Sequence, residues 1–210
     1  MKLFLASGNR HKQKEMQEIL SDCEILIPAD VGIDFNPEET GATFYENSLI
    51  KARALYELVH EPVIADDSGI CVESLGNAPG IYTSRYAGPE FMHGYPDGHK
   101  MPQNEQNENL ILQLNATGSK NRRCFYVCAM VLLINSERFF VAQETFEGEL
   151  IDDIKKQAGN GGFGYDPIVY LPQYKKTVAE ISAEEKNRIS HRGKAARAIS
   201  DILKNLNKQV

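Results

Sequence analysis

Pro62-Val63-Ile64-Ala65-Asp66-Asp67-Ser68-Gly69 reads as a short buried-type strand that ends at two adjacent acids. Its length and its β-branched residues suit a strand better than a helix. Before it, Thr43-Phe44-Tyr45-Glu46 is a capping box, in which Thr43 caps a helix and Glu46 reaches back. The helix it opens carries Leu49, Ala52, Leu55, Leu58 and Val59 at helical spacing. Further upstream, residues 2–6 read as a strand, Ser7-Gly8-Asn9 as a turn, and residues 12–20 as a helix with Met16, Ile19 and Leu20 on one face. Ile25-Leu26-Ile27 is a second strand candidate. Downstream, residues 76–88 look like a structured loop and residues 89–108 like an exposed polar excursion. A helix is predicted over 108–114. A long hairpin follows, with arms at 123–134 and 138–147 around Asn135-Ser136-Glu137. Ser182-Ala183-Glu184-Glu185 is another capping box. The last helix starts near Ser190, with Ala195, Ile199, Ile202, Leu203 and Leu206 on its docking face. Strands and helices alternate and a hairpin follows, which predicts an α/β fold with a mixed sheet.

The chain has 210 residues, 42% hydrophobic and 25% charged, enough to bury a full core as one domain, 1–210, without staples. Its four cysteines are too few and too scattered for a disulfide framework. Cys124 and Cys128 share one strand face and read as small core residues, and free thiols fit a reducing cytosol. The apolar runs at 1–6 and 127–134 are too short to span a bilayer. The expectation is a soluble, cytoplasmic protein with no membrane partner. A net charge of −6 argues against nucleic-acid binding but not against a small anion held by a few focused cations.

Five stretches look chemical. In Ser7-Gly8-Asn9-Arg10-His11-Lys12 a turn leads into a helix, where free backbone N–H groups, the helix dipole and a lysine suit a phosphate; an ordinary βα turn has the same look. Asp66 and Asp67 repel each other unless a cation sits beside them. Mg²⁺ is the natural guest, because it is hard and oxygen-seeking, although a solvated turn is the alternative. Glu38, in an acidic loop around Pro37, gains meaning if folding sets it beside Asp67. Lys51, four residues after Asn47 on one helix face, has the reach to meet phosphate. In Gly161-Gly162-Phe163-Gly164-Tyr165-Asp166 the glycines permit close backbone approach, and Phe163 can stack on a base or tuck into the core. Lys186, His191 and Arg192 straddle the junction of two helices. As donors they would favour a purine whose 6-keto oxygen accepts where adenine donates.

In this order the stretches resemble the inosine triphosphatase family. The matching segments are Ser7-Gly8-Asn9-x-x-Lys12, Glu38-Glu39-Thr40-Gly41-x-Thr43-Phe44-x-Glu46-Asn47, Ala65-Asp66-Asp67-Ser68-Gly69, Gly80-Ile81-Tyr82-x-x-Arg85-Tyr86, Gly161 through Pro167, and Glu184-Glu185-Lys186 with Ser190-His191-Arg192-Gly193. The resemblance covers essentially the whole chain. It implies an elongated mixed sheet flanked by helices, two lobes with a central nucleotide cleft, and a homodimer. It implies Mg²⁺-dependent hydrolysis of ITP, dITP and XTP to the monophosphate and pyrophosphate, clearing aberrant purines from the nucleotide pool. By the same resemblance Ser7, Gly8, Asn9, Arg10, His11 and Lys12, with Lys51, bind the triphosphate. Glu38 and Asp67 hold Mg²⁺, Asp67 is also the proton acceptor, and Ser68 touches the substrate. Phe163, Gly164, Tyr165, Asp166, Lys186, His191 and Arg192 form the base pocket.

Ser7 stands where many members of that family have Thr, Cys71 where an aliphatic residue is commoner, and 89–108 looks longer and more polar than usual. Two other readings stay open at this point. An aspartyl-nucleophile phosphatase is suggested by Asp66-Asp67, but its Asp-x-Asp-Gly-Thr pattern is absent. A non-catalytic nucleotide- or RNA-binding module fits the glycine loops, but the acidic balance counts against it.

Overall fold

The computed structural model describes residues 1–207. Strands β1 (Lys2–Leu5), β2 (Glu24–Leu26) and β3 (Val63–Val72) alternate with helices α1 (Arg10–Ile19) and α2 (Phe44–Val59). β1 pairs in parallel with β2 on one side and β3 on the other. After α3 (Gln103–Ala116) the hairpin β4 (Arg123–Leu133) and β5 (Phe139–Leu150) turns where Ile134 N–H donates to the Arg138 carbonyl at 2.9 Å. β6 (Val169–Leu171) and β7 (Lys176–Thr177) complete the sheet as antiparallel strands before α4 (Ala183–Ile189) and α5 (His191–Asn207). The seven strands run in the order β2-β1-β3-β4-β5-β6-β7, an open mixed α/β sheet as expected. Among the described residues no helix is long and apolar enough to cross a membrane.

The chain forms two compact units, both discontinuous in sequence. Met1–Ser68, Cys128–Glu144 and the chain from Ser190 onward make the first. Here the period of two along each strand splits the core into two faces. Leu3, Leu5, Ile64, Cys128, Met130 and Leu132 pack with Met16 of α1 and with Ala195, Ile199 and Leu203 of α5. Phe4, Ala6, Val63, Ala65, Val131 and Leu133 pack with Ala52 and Leu55 of α2. Each fully buried Leu, Ile, Phe or Met contributes about 1.5–3 kcal/mol relative to exposure. The docking face read for the last helix is therefore the buried one, while Leu58 of α2, at helical spacing in the sequence, is 55% exposed.

Gly69–Val127 and Thr145–Ile189 make the second unit. Ile70, Val72, Cys124, Tyr126, Phe146 and Leu150 supply its sheet side, and Leu110, Ile111 and Leu114 of α3 its helix side. Cys124 and Cys128 are both buried free thiols, as their spacing predicted.

Two differences from the sequence reading bear on the site. β3 does not end at the acids but continues through them to Val72. The reason is the apolar run Ile70-Cys71-Val72 beyond Gly69, with Ile70 and Val72 β-branched, together with cations that neutralise the acids inside the strand. β1 pairs with β3 only as far as Leu5↔Ile64, so the acids sit where β3 outruns its parallel neighbour. The polar excursion is also shorter than expected, because residues 103–108 belong to α3. Gln106 and Asn107 are buried there, donating to the carbonyls of Tyr86 at 3.2 Å and Gly164 at 3.4 Å.

Candidate active site

Because successive side chains of a strand point to opposite faces, Asp66 and Asp67 do not share one cation. Asp66 lies on the Ile64 face, with α1 and α5; Asp67 lies on the Ala65 face, with α2. Asp66, 1% exposed, receives Lys12 Nζ at 2.9 Å and Arg192 Nε at 3.2 Å. Arg192 also donates from Nη1 to Glu15 Oε2 and from Nη2 to Ser68 Oγ, each at 2.8 Å. Asp67, 7% exposed, receives Lys51 Nζ at 3.0 Å, and Asn47 Nδ2 lies 3.4 Å from its other oxygen. Lys51 also bonds Glu39 Oε1 at 2.8 Å.

These partners drive the two neighbouring acids in opposite directions. Burial alone would raise the Asp66 carboxyl, but the charges of Lys12, Arg192 and Lys51 outweigh it and hold the group well below the carboxylate range. Asp67 is pushed above its ordinary value by burial, which Lys51 only partly offsets while the charge of Glu39 adds to the rise. Burial disfavours the charge on Lys51, yet Asp67, Asp66 and Glu39 outweigh it and raise that ammonium's value. Lys51 and Asp67 both shift upward, the ammonium because three carboxylates surround it and the carboxyl because burial outweighs Lys51. Asp66 is thus a saturated anchor, and Asp67 is the acid that takes a proton more readily.

The loop before α1 is built as a cap. Asn9 Oδ1 accepts from the N–H groups of His11 at 2.9 Å and Lys12 at 3.3 Å, and Ser7 Oγ accepts from Asn9 N–H at 3.1 Å. Two of the helix-start donors read as free for phosphate are therefore occupied by Asn9. Gly8, Asn9, Arg10 and His11 are exposed. Arg10 is tied to Asp30 at 2.6 Å. A Cβ on Gly41 would meet Glu46 Cβ at 2.6 Å and Asn47 Oδ1 at 2.7 Å, so only glycine lets the acidic loop close onto the start of α2. That closure sets Glu39 beside Lys51 and Asp67; the side chain of Glu38 is exposed.

The donor set fits a hard divalent cation. Asp67 and Glu39 both reach the Lys51 ammonium and so lie close together, and carboxylate oxygens are the ligands such a cation prefers.

In the second unit, Asp166 is the centre of a buried cluster. Its Oδ2 accepts from Lys186 Nζ at 2.7 Å and from Phe163 N–H at 2.8 Å, and its Oδ1 from Tyr126 Oη at 3.1 Å. Gly162, at φ 70°, makes this possible, because a Cβ there would fall 2.0 Å from Asp166 Oδ2. Lys186 Nζ stands 4.8 Å from the Phe163 ring centroid, and that ring is 38% exposed. An aromatic face beside a fixed ammonium suits a flat heterocycle carrying an acceptor. Tyr165 is buried instead, its hydroxyl 3.4 Å from the Thr83 carbonyl. His191 and Ser190 are buried at the start of α5.

Sequence reasoning passed over Glu15, Glu39 as a site residue, and Tyr126. Glu39 stood inside a quoted motif. Nothing in the sequence ties Glu15 to Arg192 or Tyr126 to Asp166.

A family model for the Ham1 family matches residues 3–202. A dITP/XTP pyrophosphatase of Treponema denticola is 46% identical over 204 residues, covering 97% of this chain and 99% of its own. The Ham1 protein structure from Coxiella burnetii superposes with a TM-score of 0.85 at 34% identity, covering 98% of this chain and 99% of that one. The Staphylococcus aureus Ham1 protein gives 0.82 at 34% identity with the same coverage.

Proposed function

The chain belongs to the Ham1 family, and from that premise we propose that it hydrolyses ITP, dITP and XTP to the monophosphate and pyrophosphate. The division of labour between the two adjacent acids carries this reading. Asp67, whose carboxyl burial raises above its ordinary value, accepts the proton of the attacking water. Asp66, saturated by Lys12 and Arg192, keeps those cations in place. Lys12, Lys51 and the Ser7–Gly8–Asn9–Arg10–His11 segment take the triphosphate, whose charge must be neutralised for water to attack. Ser68, which shares Arg192 with Asp66, contacts the substrate.

A divalent cation, Mg²⁺, would be held by Asp67 with a glutamate of the Glu38–Glu39 pair. When bound it would supply charge stabilisation at the phosphates. Of the pair, Glu39 already faces Lys51.

For the base, Phe163 offers a stacking face, and Gly164, Tyr165 and Asp166 hold the loop. Lys186, His191 and Arg192 are the candidate donors. An ammonium only donates, so Lys186 accepts a 6-keto purine and leaves an adenine amino group unpaired, a mismatch that costs heavily in a buried site. A cytoplasmic homodimer completes the reading.

The test is a panel of common and deaminated triphosphates with pyrophosphate and orthophosphate measured separately, with and without Mg²⁺. Pyrophosphate from dITP and XTP, and little from dATP, is the expected pattern. Release of orthophosphate alone would overturn it.

A further inference from the structure

We propose that Tyr126 is a positioning residue for base selection, its hydroxyl fixing the Asp166 carboxylate and, through it, the Lys186 ammonium and the Phe163 loop. The inference rests on the base-pocket reading above and extends it to a β4 residue that would touch no substrate. A carboxylate turns about its last torsion unless both oxygens are engaged. Asp166 Oδ2 is engaged by Lys186 and the Phe163 N–H, and Oδ1 by the Tyr126 hydroxyl. Asp166, Lys186 and Tyr126 are buried, so water cannot replace the lost Tyr126 hydroxyl without rearrangement. Tyr126 is in turn held by the sheet. It projects from the middle of the second unit's core, with its ring near-parallel to Phe146 at 6.3 Å. The chain of bonds therefore runs from a rigid strand, through a tyrosine and an aspartate, to the lysine that would read the base.

This arrangement separates selection from turnover. Lys186 and Phe163 make contacts that are equal in ground and transition states, and losing such contacts raises KM with little effect on kcat. Tyr126→Phe removes one oxygen and keeps the ring that packs the core. We expect its KM for dITP to rise about 5- to 10-fold, less than the full worth of a hydrogen bond to a charged group because Tyr126 acts only through Asp166, with kcat within about twofold. The ratio of kcat/KM for dITP over dATP should fall by a similar factor, because dATP gains nothing from an ordered Lys186.

The experiment measures both triphosphates with wild type, Tyr126→Phe, Lys186→Met and the double variant, alongside thermal midpoints. In the double variant the dITP/dATP ratio should match that of Lys186→Met alone, since both changes cut the same chain. Four results would overturn the inference. One is an equal loss of activity on dITP and dATP in Tyr126→Phe, as a purely structural defect would give. Another is additive effects of the two substitutions on the ratio. Should Lys186→Met leave the ratio unchanged, the base-pocket reading itself falls and takes the inference with it. A collapsed ratio in Lys186→Met beside an unchanged ratio in Tyr126→Phe rejects the role of Tyr126 alone.

Discussion

Replacing each of the adjacent acids by its amide should split stability from turnover. Asp66→Asn removes the one carboxylate that Lys12 and Arg192 share, and Arg192 is 3% exposed. Breaking a buried pair by removing one partner costs about 3–5 kcal/mol, because the surviving charge stays buried. At about 2–4 °C per kcal/mol for a chain of this size, the thermal midpoint should fall by roughly 6–20 °C. Glu15 still pairs with Arg192, which favours the lower end. Asp67→Asn has the opposite sign. The folded state raises the Asp67 carboxyl, so it binds a proton more readily than the unfolded chain does, and the ionised group costs stability at neutral pH. The amide removes that cost, while Lys51 keeps Glu39. Its midpoint should match or exceed wild type, while turnover falls about 10²–10⁴-fold if Asp67 is the base. The assay is calorimetry or urea unfolding at pH 7.5, run beside pyrophosphate release from dITP. Equal destabilisation by the two substitutions would refute the assignment of the acids to opposite faces. Near-normal turnover in Asp67→Asn would remove it as the base.

Acid titration should show the same division. The Asp66 value is depressed, so its contribution is complete above the unfolded-state value of about 3.9 and is lost as pH falls towards the folded value; wild type should therefore lose more stability below about pH 4 than Asp66→Asn does. Gly162→Ala places a Cβ 2.0 Å from Asp166 Oδ2, whereas Gly164→Ala meets nothing within 4 Å. Both residues have positive φ and pay about 1–2 kcal/mol for it, but only Gly162→Ala should add a raised KM for dITP, read from midpoints and steady-state kinetics. Burial pushes the thiols up, Cys71 to about 11 and Cys124 and Cys128 each to about 12, so a chromogenic disulfide reagent at pH 8 should find these three unreactive until denaturant is added.

Much was legible in the residues themselves. The capping box at Thr43 and Glu46 forms as read, with Thr43 Oγ1 accepting from Glu46 N–H at 3.1 Å, because its partners are three residues apart and need no distant contact. The hairpin and the face of α5 followed from periodicity for the same reason. The family likeness rested on short motifs in a fixed order, and the comparisons bear it out.

What the sequence determined by itself is local: which segments are strands and helices, which faces are apolar, and which stretches hold chemistry-bearing residues. Only the tertiary structure decided which cation meets which acid. Asp66 and Asp67 are one residue apart and look alike in sequence, yet strand alternation sends one towards α1 and α5 and the other towards α2. Their partners lie far along the chain, Arg192 being 126 positions from Asp66 and Lys51 16 from Asp67. Burial and Coulomb interaction depend on distance in space, and the order of residues along a chain does not encode that distance.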